Sequence, residues 1–258
     1  MSKQRTTLIT GASQGIGQEL ALSFAAAGDS LILAARNREN LEETAEAAAA
    51  HGAEVLVVPT DITNPDQVSA LGRAARERFG GVDVLINNSG IGGPSGPLWE
   101  LDLEEWRQTF AVNVDGVFLV SREFLPSMIE RGSGSVIIIG SITGKRPLWG
   151  RTPYASTKAA LIGLTRTLAL EAGPRGVRVN LISPGFVAGP RLDWVIQSQA
   201  EGRDVTVDEV RGEMEGESPL NRLTQPHDIA RAALFLASEE ASGLTGADLN
   251  VNSGAVMY

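Results

Sequence analysis

The chain has no cysteine and only two histidines, His51 and His227. Without cysteine there can be no disulfide, thiolate nucleophile or cysteine-ligated zinc, and two isolated histidines give no metal-ligand spacing, so no metal site is expected. Basic charge is also scarce, with 22 Lys and Arg against 31 Asp and Glu and a formal net charge of -9. Nucleic-acid binding needs basic surface to neutralise phosphates and is not expected of the chain as a whole. No apolar run is long enough to span a bilayer, and the first residues enter a strand pattern without a secretory leader, so a cytoplasmic protein without a membrane partner is expected. Linkers, composition breaks and internal repeats are lacking too, which predicts one domain over 1–258.

What the sequence does contain is alternation. Short β-branched runs at 6–10, 31–35, 55–59, 82–87, 135–140, 177–183 and 248–251 read as strands. Between them, helical patterns occupy 15–27, 38–50, 65–79, 103–131, 153–172 and 226–237. Such alternation predicts an α/β fold: a Rossmann-like, doubly wound, seven-stranded parallel sheet with helices on both faces. The span 186–219 breaks the rhythm, with an apolar patch RLDWVIQ and a charged stretch VTVDEVRGEMEGE. Its place after a strand's carboxyl end suits a substrate lid, with a solvated excursion as the alternative.

The first strand runs into TGASQGIG at 10–17 and then a helix. Gly11, Gly15 and Gly17 allow a tight turn, close approach of a pyrophosphate and close helix packing, while the helix N-terminus supplies N–H groups. No Lys-Ser/Thr follows, which disfavours a P-loop. The second strand ends Ala34-Ala35-Arg36. A carboxylate there would select a ribose 2′-hydroxyl; a guanidinium suits a 2′-phosphate, so NADP is preferred, with NAD as the alternative, unless Arg36 is merely a solvated helix start. Further on, Tyr154 and Lys158 stand four apart behind Thr152-Pro153. Thr152 as N-cap and Pro153 as first helical residue would place both side chains on one face near the positive end of the helix dipole. Each influence favours the phenolate of a residue that ordinarily titrates near pH ~10.

These pieces occur together with Asp61-Ile62, NNSG at 87–90, Asn113 in VNVDG, Ser141 in IIIGSITG, YASTK at 154–158 and SPG at 183–185. In this order the chain resembles the short-chain dehydrogenase/reductase family over almost its entire length. The resemblance implies a catalytic tetrad of Asn113, Ser141, Tyr154 and Lys158. It implies a cofactor path along Gly11, Ser13, Gln14, Gly15, Ile16 and Gly17, then Arg36, with Asp61 at the adenine amino group and Ile62 beside it. Asn87, Gly90, Pro184, Gly185 and the Val187 backbone would continue that path to the nicotinamide, with Tyr154 and Lys158 at its ribose. Within the tetrad, Tyr154 would exchange the substrate proton, Lys158 favour the phenolate, Ser141 hold the substrate oxygen, and Asn113 hold a water linking Lys158 to solvent. Two departures stand out: NNSG replaces the usual NNAG, and Gly189 stands where a threonine commonly contacts the nicotinamide. Either a lid donor replaces that threonine or the cofactor grip is weaker. Family habit also implies a homotetramer joined through 103–131, 153–172 and the last helix and strand.

Substrate identity is less constrained. Lys145, Arg146, Trp149 and Arg151 form a basic segment that either attracts an anionic substrate or is solvated charge near a subunit contact. Arg191 and Trp194 in the lid offer polar and stacking contacts. The expected function is NADP-preferring hydride transfer between nicotinamide and a secondary alcohol or ketone, a sugar or other polar hydroxy compound. The alternative is a 3-oxoacyl-thioester reductase acting on an acyl carrier protein or CoA ester. A non-catalytic nucleotide-binding scaffold is disfavoured by the intact tetrad.

Overall fold

The computed structural model describes residues 4–258. The β-branched runs become β1 (Thr6–Thr10), β2 (Ser30–Ala35), β3 (Val55–Pro59), β4 (Val84–Asn87), β5 (Gly134–Ile139), β6 (Val177–Pro184) and β7 (Asp248–Val251). They form one parallel sheet in the order β3-β2-β1-β4-β5-β6-β7. Side-chain alternation splits each central strand between two cores. Ile9, Ile137 and Ile139 enter one core, beneath α1 (Gly15–Ala26) and α9 (Pro226–Ala237). Leu8, Val136 and Ile138 enter the other, beneath α3 (Pro65–Phe79), α5 (Gly116–Arg131) and α6 (Thr152–Ala172). Each fully buried aliphatic side chain contributes about 1.5–3 kcal/mol, which is why both faces of the strands are apolar.

Local signals set the helix ends. The Asn37 side chain accepts from the Asn40 N–H to open α2 (Arg38–Ala49), and the Asn64 side chain caps α3 ahead of Pro65. α3 stops at Gly80, whose φ of 74° favours glycine. β1 lies between β2 and β4, so the chain connections leave it in opposite directions and open a crevice beyond the carboxyl ends of β1 and β4. Gly11 and Asn88 stand at that crevice.

One expectation is corrected. The pattern at 103–131 is not one helix: α4 (Leu103–Phe110) passes through a π-helical turn, Ala111–Asp115, into α5. One inserted residue leaves the amphipathic pattern on either side nearly intact, so periodicity could not reveal it. The span 186–219 folds largely into α7 (Pro190–Arg203) and α8 (Val207–Gly216). These helices have their own small core of Ile196, Ala200, Val210, Met214 and Leu223. A reciprocal cap opens α8, where the Glu209 N–H donates to Thr206 Oγ1 and the Thr206 N–H donates to Glu209 Oε2.

Candidate active site

The glycine-rich turn is built for close approach. Gly11 and Gly15 have φ of 65° and 56°, values that favour glycine. A Cβ on Gly17 would lie 2.0 Å from Gly11 O, so α1 packs directly on the turn. A Cβ on Gly15 would meet nothing within 4 Å, and Gln14 opens the helix without a side-chain cap. The first N–H groups of α1 therefore face open space, as a pyrophosphate requires, and the residues present fit a dinucleotide. Asn88 holds the turn in place: its Nδ2 donates to Thr10 O at 2.9 Å and Gly11 O at 3.1 Å. Sequence reasoning singles out Asn87 and Gly90 and misses Asn88. Asn87 turns inward instead, donating to Ser121 Oγ at 3.2 Å. Arg36 is exposed at the end of β2 and makes no ion pair among the described residues. Asp61 Oδ1 accepts from the Thr63 N–H at 2.9 Å, and Ile62 is buried against Gly116.

Tyr154 and Lys158 share a face at the start of α6, although the cap differs from expectation. Arg151 holds the N-cap position without a side-chain bond, and Thr152 is already the first helical residue. Starting one residue earlier leaves Pro153 at a position that still needs no N–H partner. Lys158 is only 5% exposed; its Nζ donates to Ile139 O at 2.9 Å and lies 5.7 Å from the Tyr154 ring centroid. The guanidinium carbons of Arg151 and Arg191 lie 5.5 and 5.9 Å from the same centroid. Burial alone would push the Tyr154 phenol up, but Lys158, Arg191, hydrogen bonding from Ser141 and Arg151 together bring it below its ordinary value. Burial, reinforced by Arg191 and opposed by the phenol, holds Lys158 below the usual lysine value. Ser141 Oγ accepts from the Thr143 N–H at 3.1 Å, so its own O–H can donate toward the Tyr154 phenol or a substrate oxygen beside it.

Asn113 projects from the π-helical turn and is fully buried. Its Nδ2 donates to Ile91 O at 2.9 Å and to Thr157 Oγ1 at 3.1 Å, while Oδ1 accepts from the Ile91 N–H at 2.8 Å. A Cβ on Gly90 would sit 3.3 Å from Asn113 Oδ1 and 3.6 Å from Lys158 Nζ, so Gly90 lets the Asn113 amide pack closely beside the ammonium. Beyond β6, the Thr224 N–H donates to Phe186 O and Thr224 O accepts from the Ala188 N–H, which turns the Val187 backbone groups the opposite way. Gly185 packs on Asn252, and Pro184 ends β6. Gly189 has a φ of 139°, so the departure from threonine follows from a backbone that side chains rarely adopt.

A family model described as enoyl-(acyl carrier protein) reductase matches residues 11–256. The chain belongs to the short-chain dehydrogenase/reductase family. This is an oxidoreductase family acting on CH–OH and C=O groups. Oxidoreductase UcpA of Escherichia coli is 36% identical, over 98% of this chain and 95% of that protein. The structure of an actinorhodin polyketide ketoreductase variant with NADPH superposes with a TM-score of 0.95 at 32% identity, covering 100% of this chain and 99% of that one. L-sorbose reductase from Gluconobacter frateurii, complexed with NADPH and L-sorbose, gives 0.93 at 31% identity, with 99% and 98% covered. These likenesses cover the chain almost from end to end.

The basic segment ahead of Tyr154 divides. Lys145 is buried, with Nζ 2.8 Å from Asp248 Oδ2 and donating to Asn250 Oδ1 at 2.6 Å. Arg146 pairs with Glu217 at 2.7 Å and stacks over Phe186. Both charges are thus taken up within the fold; only Arg151, joined by Arg191, faces the phenol. Trp149 and Trp194 stand 81% and 71% exposed. Lys145→Met should leave Asp248 without its cation and lower stability by about 3–5 kcal/mol in chemical denaturation. A loss under ~1 kcal/mol would mean the pair is solvated.

Proposed function

We propose that this short-chain dehydrogenase/reductase is an NADP-preferring enzyme that interconverts a secondary alcohol and a ketone in a polar hydroxy compound such as a sugar. The observation that carries the reading is a tyrosine phenol held low by a buried lysine at the mouth of a dinucleotide crevice. The likeness to an L-sorbose reductase with NADPH supports the substrate class. In the crevice, the N–H groups at the start of α1, with Ser13, Gln14 and Ile16, would hold the pyrophosphate. Arg36 would hold the 2′-phosphate, Asp61 the adenine edge, and the Val187 backbone the carboxamide. When bound, the nicotinamide supplies or accepts the hydride.

The chain's own residues manage one proton. In oxidation Tyr154, as phenolate, takes it from the alcohol; in reduction Tyr154, as phenol, returns it to the alkoxide oxygen. Lys158 favours the phenolate, and its carbonyl partner Ile139 fixes where the ammonium stands. Ser141 donates its O–H to the substrate oxygen, where charge develops. Asn113 ties the Ile91 segment to α6, and a water held beside it would connect Lys158 to solvent. Segment 186–219, through α7 and α8, would close over the substrate.

A second reading, 3-oxoacyl-thioester reduction, is favoured by the likeness to the polyketide ketoreductase. Relative kcat/KM on sugars, cyclic ketones and acyl thioesters separates the two. A cytoplasmic homotetramer is also part of the proposal. Phe118 on α5, Leu170 on α6, Phe235 on α9 and Leu249 on β7 are exposed apolar side chains on the elements that would join the subunits, and among the described residues no helix is long and apolar enough to cross a membrane.

Tyr154→Phe should lower kcat by about 10²–10⁴ while NADPH still binds; turnover at the wild-type rate would exclude the assigned proton role. Oxidation should rise with pH to a plateau whose midpoint lies below ~10, and reduction should fall through the same midpoint. Arg36→Ala should weaken NADPH binding about 10–100-fold and leave NADH nearly unchanged, measured by fluorescence titration. Equal loss for both cofactors would count against a 2′-phosphate contact. Light scattering should give the mass of four chains, and a monomer mass would refute the assembly.

A further inference from the structure

Arg151 precedes α6 and Arg191 lies in the first turn of α7, yet their guanidinium groups converge. A Cβ built on Gly92 would lie 2.5 Å from Arg191 Nη2 and 2.7 Å from Arg151 Nη2. Arg151 Nη2 donates to Gly92 O at 2.8 Å, and both guanidinium carbons lie within 6 Å of the Tyr154 ring centroid, at 5.5 and 5.9 Å. Nearby basic side chains are neutralised: Lys145 by Asp248, Arg146 by Glu217, Arg211 by Asp193 and Arg222 by Asp228. Arg151 and Arg191 make no ion pair among the described residues, although acidic residues outnumber basic ones by 31 to 22. The half-buried Arg151 guanidinium, the more exposed Arg191 guanidinium and the Lys158 ammonium around one phenol repel one another. Burial first, and then the charge of Arg191, pull Arg151 below the ordinary arginine value. An arrangement of uncompensated cations beside reacting atoms is completed by an anion, and paired planar forks match the oxygens of an oxyacid group.

We propose that Arg151 and Arg191 form a binding site for an oxyanion group, carboxylate, sulfonate or phosphate, carried by the substrate a few bonds from its reacting carbon. The reaction assigned to that carbon rests on the function proposed above; the anion site rests on the convergence of the two arginines over Gly92. The substrate is then an acidic hydroxy or oxo compound rather than a neutral one. Binding has a second consequence. The oxyanion offsets the positive charge of Arg151 and Arg191, leaving Lys158 and Ser141 as the chief influences on Tyr154, so the phenol becomes a stronger base when substrate is present.

That consequence gives a test independent of turnover. The chain has two tyrosines, Tyr154 and Tyr258. In Tyr258→Phe protein saturated with NADP⁺, tyrosinate absorbance reports Tyr154 alone. Saturating malonate, methanesulfonate or methyl phosphate should raise its midpoint by about one pH unit, and the probe that acts identifies the oxyacid class. In Arg151→Gln/Arg191→Gln protein the midpoint should already be raised and respond to none of the three. Arg191→Lys, which keeps charge without the fork, should retain only part of the response. If no probe moves the midpoint, or if NADP⁺ alone produces the whole shift and abolishes the probes' effect, the site is not a substrate oxyanion site and the proposal fails.

Turnover then separates the two readings. Arg191→Gln should lower kcat/KM for a hydroxy acid, sulfonate or phosphate at least about 10-fold and for its neutral ester or alcohol less than about 3-fold. Equal loss on both, or better wild-type turnover of the neutral member, overturns the proposal. Absence of any alcohol or ketone turnover would instead refute the oxidoreductase assignment, while the titration still decides the anion site.

Discussion

The Lys158 ammonium, buried at the end of the sheet, sets the terms for the structure around it. A cation at that depth must be hydrogen-bonded or it would shed its proton. The main-chain carbonyl at the end of β5, Ile139 O, meets it at 2.9 Å. Glycine lets the surrounding backbone close in: a Cβ on Gly144 would lie 2.7 Å from the Lys158 carbonyl carbon, so the turn after β5 packs directly on α6. β5, the turn Ile142–Gly144 and the start of α6 therefore behave as one unit. Ser141 and Tyr154, which belong to that unit, are held by the same contacts.

One loop connects the parts of the site. From the end of β4, Asn88 secures the glycine-rich turn through Thr10 and Gly11, and Gly90 lies against Asn113 and Lys158. Ile91 is bound on both its polar groups by the Asn113 amide, and Gly92 O accepts from Arg151 while the Arg191 guanidinium lies against the same glycine. Successive residues of 88–92 thus touch the cofactor crevice, the proton-handling pair and the anion site. The glycines of the loop are required by this crowding, since a side chain at Gly90 would press on Asn113 Oδ1 and one at Gly92 would displace the guanidinium groups. The π-helical turn serves the same purpose: its extra residue carries Asn113 inward far enough to reach both Ile91 and Thr157.

The lid is held differently. α7 and α8 bury a few apolar residues of their own and are laced outside by ion pairs such as Arg203–Glu213 and Arg211–Asp193. Exposed pairs of this kind contribute little stability, so the two helices depend on a small core while the sheet depends on two large ones. A unit with a small core can vary without disturbing the sheet, and it is this unit that brings Arg191 to Tyr154. The family shares its redox chemistry across substrates as different as a polyketide and L-sorbose. On the proposed reading, the chemistry resides in α6 and the substrate contacts divide between the segment before α6 and the start of α7.

The sequence alone determined the sheet, its strand positions within a few residues, the glycine-rich turn, the Tyr154–Lys158 pair and the family, because periodicity and short fixed spacings are local properties. Tertiary structure decided what depends on side chains meeting across elements. The π-helical turn was hidden because one added residue hardly alters a helical pattern, and the work of Asn88 because its partners lie in β1 and the turn after it. Lys145, Arg146 and Arg151 look alike in the chain. Two meet carboxylates brought from Asp248 and Glu217, and the third meets no carboxylate among the described residues, only the Gly92 carbonyl, the Tyr154 ring and Arg191. Charge along a sequence is additive, but whether a charge is spent inside the fold or left for a ligand depends on which distant residue stands opposite it.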